Sequence, residues 1–337
     1  MQYDKKIRFF LPLRSDETGC TLQASGGSGM SRKPLIFTAL LLVQHGAMAQ
    51  QAGTPRTDWD TPDFSGYWEY NTATPLERPA DVADKPVLTP AEEEAYMVGI
   101  YEAIRHERDL QLNADWWQPG TLTNGRTSLI VDPPHGRLPQ RTAAANHRAQ
   151  TIGLRSRLRP ADGPEDRERY ERCIMGRTVP LLSQPPGKLA QIFQTPNYLA
   201  ILHEQNSDLR IIPIASTSRR EHIPTNIRHW QGDSRAHWEG DTLVIEVTNF
   251  NGAWTLAGES QNVRYIERFS IGTMNTIDYE FTAYDPESFA SSWTVTFPIA
   301  RSSGPLFENA CHEGNHSMPL ILNGARAQER AGQPETP

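Results

Sequence analysis

From about residue 189 onward the chain alternates apolar and polar residues in short runs separated by turn residues. Leu243, Ile245 and Val247 interleave with Val244, Glu246 and Thr248, and Ile277, Tyr279 and Phe281 interleave with Asp278, Glu280 and Thr282. A period of two is the mark of a strand with one face buried. "QIFQTPNYLAIL" is two such runs broken by Thr195-Pro196-Asn197, a hairpin signal. "DLRIIPI" follows. "RAHWEGDTLVIEVTNF" turns at Glu239-Gly240-Asp241, and "NVRYIERFSI", "TIDYEFTAY" and "SSWTVTFPI" complete the series. Short turns between strands predict antiparallel neighbours in a meander. Six or more such strands are expected to curl into a barrel or half-barrel, because closure removes exposed edges.

Residues 50–188 carry a different pattern, Pro-rich with helical segments. The clearest predicted helix runs from Thr89 to about Leu112. Thr89 suits the N-cap, Pro90 the first position, and Glu92, Glu93 and Glu94 the positive end of the dipole. Tyr96, Ile100 and Ile104 recur every four residues. Further helices are expected near Pro139–Thr151 and Glu165–Cys173, with all of them packing on the barrel. "PDFSGYWEY" contains Gly66-x-Trp68, a spacing like the entry strand of lipocalins, and places a first strand near 64–70. The expected fold is therefore mainly β: an antiparallel lipocalin-like barrel or half-barrel over 189–318, with a partly helical N-terminal part. The polar stretch 319–337 reads as a disordered tail.

The N-terminus changes the picture of where the protein works. "MSRKPLIFTALLLVQHGAMAQQAG" has a basic start (Arg32, Lys33), an apolar run (Pro34 to Val43) and Ala47-Met48-Ala49 as a cleavage site. Residues 30–49 thus read as a signal peptide, too short in its apolar run to span a bilayer. Residues 1–29 read as a mis-called leader before a true start at Met30. A periplasmic or secreted protein is expected, with no membrane span after cleavage. Outside that leader the cysteines are Cys173 and Cys311, an even pair expected to be bridged in an oxidising compartment. The net charge of −7, with no Lys/Arg cluster to offset it, argues against nucleic acid as a partner.

Several longer motifs carry a resemblance. "GRTSLIVDPPHGRLP" (Gly125–Pro139), "IFQTPNYLAIL", "DLRIIPI", "GDSRAHWEGDTLVIEVTNF" (Gly232–Phe250), "ERF" (Glu267–Phe269), "YEFT" (Tyr279–Thr282) and "ACHEGN" (Ala310–Asn315) together resemble a family of exported bacterial proteins over nearly the whole mature chain. The resemblance implies export and assigns no activity. Members typically read "CHEGNY", with an aromatic where this chain has His316. In "ILHEQNSDLR" Ser207 stands where a histidine is usual.

Two clusters offer chemistry. "CHEGNHS" contains H-E-x-x-H, the spacing of a zinc hydrolase with His312 and His316 as ligands and Glu313 as the base. That reading needs a helix through His312–His316 and a third ligand. Gly314, Asn315 and Pro319 oppose the helix, and the following "SMPLILNG" supplies no ligand. His312 and Glu313 beside Cys311 are instead a candidate acid/base pair at a barrel mouth. The second cluster, "RHWQGDSRAHWEGD", places Arg228, Asp233, Arg235 and His237 among Trp230 and Trp238. Arg235 and His237 share a strand face with Trp238 opposite. This set could line a barrel interior or form a cross-strand salt-bridge ladder. The charged group Glu204, Asp208 and Arg210 reads as structural pairing. There is no G-x-S-x-G elbow, phosphate loop, dinucleotide fingerprint or C-x-x-C-H, so no organic cofactor or metal is assigned.

Two functions follow. One is an exported cofactor-free enzyme, a lyase, isomerase or hydrolase, acting on a small apolar or aromatic molecule. His312 or His237 would be its base, Glu313 or Asp233 the partner, and Arg228 or Arg235 the anion stabiliser, with Trp230 and Trp238 lining the site. The alternative is a non-catalytic lipocalin-like binding or carrier protein. The sequence leaves oligomeric state open.

Overall fold

A computed structural model describes residues 54–108, 120–176, 178–182, 189–215, 221–253 and 255–332. The expected leader (1–29), the expected signal peptide (30–49) and the C-terminal end of the first expected helix lie outside these residues. Among the described residues the chain is mainly β, with ten strands: β1 (Gly66–Glu69), β2 (Ile130–Asp132), β3 (Leu189–Gln194), β4 (Tyr198–His203), β5 (Leu209–Ala215), β6 (Asp233–Glu239), β7 (Thr242–Thr248), β8 (Arg264–Thr273), β9 (Thr276–Tyr284) and β10 (Trp293–Ser302). β1 pairs with both β3 and β10, so β1 and β3–β10 close into a nine-stranded barrel, and β2 adds to β10 outside the ring.

The expected meander is present with one correction. β5 and β6 run parallel, joined by only the pairs Ile214↔Ala236 and Ala215↔His237. Parallel neighbours need a long connection, and β6 begins at Asp233, well beyond the end of β5 at Ala215. Every other pairing in the barrel is antiparallel.

The barrel interior is a packed core. Phe269 lies 5.0 Å from Tyr279, Tyr279 lies 5.3 Å from Phe297, and Phe281 lies 5.5 Å from Trp293, in edge-on arrangements favoured by ring quadrupoles. Trp68 is buried among them. Its indole Nε1 donates to the Phe64 carbonyl at 2.7 Å, and the Arg301 guanidinium crosses its face at 4.4 Å. Gly66 makes that crossing possible. Its φ is +129°, and a Cβ there would stand 2.8 Å from the Arg301 guanidinium.

The helices are α1 (Pro90–Arg108), α2 (Ala143–Leu158) and α3 (Ser317–Arg330). Thr89 and Glu92 bond reciprocally at the start of α1, a capping box. α2 begins later than expected because Thr142 is its cap, accepting from the Ala145 amide at 3.1 Å. The helix expected near Glu165–Cys173 is instead a short 3-10 turn at Pro164–Asp166 followed by turns. Nor is the stretch from 319 a featureless tail. α3 buries Ala325, and Arg326 donates to the carbonyls of Asp162 and Ala161 at 2.7 and 3.2 Å. Pro319 is tolerated because it sits in the first turn, where its missing N–H has no intrahelical partner to lose. No helix among the described residues is long and apolar enough to cross a membrane.

Candidate functional site at the plugged end of the barrel

Inward positions along these strands should be apolar, and at one end of the barrel they are not. His203 follows Leu199 and Ile201 on the inner face of β4. Arg210 precedes Ile212 and Ile214 on β5, and Glu267 lies between Tyr265 and Phe269 on β8. All three are buried, His203 and Glu267 completely. The Arg210 guanidinium pairs with Glu267 through Nη2 and donates through Nε to Ser234 Oγ at 2.9 Å. The other Glu267 oxygen accepts from the Tyr279 hydroxyl at 2.8 Å. His203 Nδ1 lies 3.3 Å from the Tyr70 hydroxyl.

Residues 178–182 plug this end. Val179, Leu181 and Leu182 are buried with the barrel core, and the Leu181 amide donates to the Tyr279 hydroxyl at 3.0 Å. Asp208 holds the base of the plug, accepting from the Gly176 amide at 2.7 Å and from Thr178 Oγ1 at 3.3 Å. Gly176 is closely packed: a Cβ would fall 2.2 Å from Oε1 of the buried Gln205, so a larger residue forces that side chain to shift. The predicted disulfide is present: Cys173 and Cys311 are bridged, their Cα atoms 5.7 Å apart. It ties the C-terminal segment to the root of the plug, where Asn315 Nδ2 also donates to the Glu171 carbonyl at 2.7 Å.

Burial dominates the electrostatics. It lowers the His203 pKa to about 3, helped by nearby Arg210, so the imidazole is neutral at ordinary pH. Burial also raises the Tyr70 phenol, with the Glu204 and Asp208 charges adding to it. Tyr279 is raised well above 10, first by burial and then by the Glu267 charge. Asp208 is raised by burial against the opposing pull of the Gly176 and Thr178 hydrogen bonds and of Arg169. Three buried interior nitrogens have no hydrogen-bond partner among the described residues: Arg210 Nη1, His203 Nε2 and the Trp293 indole Nε1. A buried donor left unpaired costs about 1–3 kcal/mol, which makes such atoms pointers to something else that binds them.

The residues singled out from sequence fall elsewhere. Cys311–Gly314 form a turn, and the helix begins only at Ser317, so His312 and His316 do not share a helix face; both, like Glu313, are exposed. Arg235 and His237 point outward, with Asp233, from β6. Trp238 is on the opposite side, stacked 5.9 Å from Phe64. Arg235 pairs with Asp233 at 2.7 Å, His237 with Glu239 at 3.2 Å, and Arg268 with Glu239 at 2.7 Å, a ladder across the outer face. Arg228 clamps a loop through the carbonyls of Phe250 and Gln261 at 3.0 and 2.6 Å. Trp230 is half-buried nearby.

One contact was not anticipated. His222 Nδ1 lies 2.7 Å from Asp233 Oδ2, and its Nε2 lies 3.6 Å from Glu246 Oε2. The interior set was also missed as a site: Arg210 was read as pairing with Glu204 and Asp208, whereas its ionic partner is Glu267, and His203, Glu267 and Tyr279 were not singled out, although all four lie in strands already recognised. The available signal was parity: each polar residue falls on the inward register of a strand whose other inward residues are apolar. No family model, no curated protein and no solved structure matches the chain.

Proposed function

We propose that the chain is an exported, lipocalin-like protein that binds a small, largely apolar molecule at the plugged end of its barrel, with a neutral oxygen of that molecule on Arg210 Nη1. The observation carrying this reading is the set of buried nitrogens without a partner among the described residues, in a barrel core rich in aromatic side chains. The ligand's charge follows from the local balance. Glu267 already neutralises Arg210, and His203 is neutral. A carboxylate would add an uncompensated buried charge at a cost of several kcal/mol, whereas a carbonyl or hydroxyl oxygen takes a charge-assisted hydrogen bond without that cost. The groups there favour binding over turnover. A histidine near pKa 3 and strongly raised phenols are poorly matched to proton transfer near neutrality.

Calorimetric titration with acetophenone, ethylbenzene and benzoate tests this. Acetophenone should bind at least about tenfold more tightly than either of the others, the equivalent of one modest hydrogen bond. Binding of none of the three up to millimolar concentration sinks the reading, and equal binding of all three sinks the assigned role of Arg210.

A second reading, a cofactor-free lyase, isomerase or hydrolase, is favoured by the His222–Asp233 contact at 2.7 Å, in which a carboxylate could orient an imidazole base. On that reading a His222→Asn variant that retains its fold loses turnover of any substrate found; unchanged turnover refutes it.

A further inference from the structure

The outer face of β3–β5 departs from what a water-facing sheet requires. A barrel strand with one wet face should carry polar residues there. Phe193 on β3 sits opposite Ala200 on β4, which sits opposite Ile211 on β5, giving one apolar row across three strands. Leu202 and Leu209 form a second row, which the uncharged Gln191 continues on β3, and Tyr198 opposite Pro213 forms a third. No Asp, Glu, Lys or Arg occupies an outward position of these strands; their one arginine, Arg210, points inward. The side chains are not covered: Phe193 is 46%, Tyr198 45%, Leu209 51% and Ile211 60% exposed. The neighbouring outer face of β6–β8 is the opposite, a ladder of Arg235–Asp233, Arg264–Glu246 and Arg268–Glu239 ion pairs.

We infer that this face is the interface of a homodimer, packed against the same face of a second copy. Area and charge both point there. The exposed side chains and the half-buried ones between them offer on the order of 500 Å², in the upper range for the largest apolar patch of a monomer. Two such faces together bury about 1,000 Å², the least that a specific pair needs. An uncharged surface has nothing with which to select an acidic or basic partner, whereas a two-fold pairing sets each apolar row against its equal. The ion-pair ladder beside it would remain at the wet rim. The strands involved are those whose inner faces carry His203 and Arg210, so dimerisation would stiffen one wall of the candidate site without entering it.

Sedimentation equilibrium of protein purified from the periplasm of an expression host tests this, with Ile211→Lys and Phe193→Glu as separate variants. Both positions are exposed, so circular dichroism and the thermal midpoint serve as controls for an intact fold. The wild type should sediment at twice the chain mass at micromolar concentration. Each variant should dissociate at concentrations at least about a hundredfold higher, because an unpaired charge would be buried at the centre of the interface. A wild-type monomer at 100 μM overturns the inference. So does a dimer that persists unchanged in both folded variants, or a wild-type monomer that binds phosphatidylcholine vesicles while the variants do not.

Discussion

Glu267→Gln tests the interior most sharply. Glu267 is fully buried and Arg210 is 3% exposed, and each is the other's only ionic partner among the described residues. Removing the carboxylate leaves a guanidinium in the barrel with no counter-ion, at a cost of about 3–5 kcal/mol. That is a large part of the roughly 5–15 kcal/mol that holds a typical domain together. Arg210→Met leaves the opposite charge stranded and should cost a similar amount. The double variant Arg210→Met/Glu267→Leu strands neither. It gives up the Ser234 and Tyr279 hydrogen bonds, at about 1 kcal/mol each, and regains apolar volume. Urea unfolding at pH 7, followed by tryptophan fluorescence, should therefore rank the double variant above both singles. The reasoning is refuted if either single costs under about 1 kcal/mol, or if the double costs the sum of the two.

Three further outcomes follow from the same geometry. Cys173→Ala/Cys311→Ala opens a 138-residue loop, and the chain-entropy relation puts the loss at about 5 kcal/mol; a variant within about 1 kcal/mol of wild type by urea unfolding would contradict this. Because His203 is depressed to about 3 when folded, the unfolded chain takes up a proton below about pH 6.5 that the folded one refuses. Its contribution is complete above pH 6.5 and fades as pH falls towards 3, by up to about 5 kcal/mol, and His203→Asn should flatten that limb of the stability–pH curve. Gly176→Ala should cost about 1–3 kcal/mol, since the new methyl meets Gln205, while Gly314→Ala, with nothing within 4 Å, should be near neutral by thermal unfolding.

The barrel could be read from the chain because period-two alternation and short turns are local signals, and each predicted strand from 189 onward corresponds to an observed one. The parallel β5–β6 seam could not, because its cause is a long connection whose path no local pattern records. Gly66-x-Trp68 was readable as a strand, but not the reason for the glycine, which is the arginine from β10 laid across the tryptophan. The candidate site was harder. Sequence reasoning weighs clusters along the chain, and "RHWQGDSRAHWEGD" and "CHEGNHS" are clusters. Their residues turn out to be an ion-pair ladder on the barrel's outer face with a loop clamp beside it, and an exposed turn tied down by a disulfide. The interior set is scattered over four strands, one polar residue in each, and becomes a cluster only when the sheet closes. Cys173–Cys311 was recoverable by counting, because setting Cys20 aside with the expected leader leaves two cysteines and one pairing.

The most direct measurement is a high-resolution crystal structure of the protein purified from the periplasm without a solvent-extraction step. Continuous non-protein density of several atoms against the plug and the aromatic wall, with one atom about 2.9 Å from Arg210 Nη1, is the predicted result. A protein side chain satisfying Arg210 Nη1, or a single water bonded to it and nothing more, would contradict a ligand-binding role for this end of the barrel.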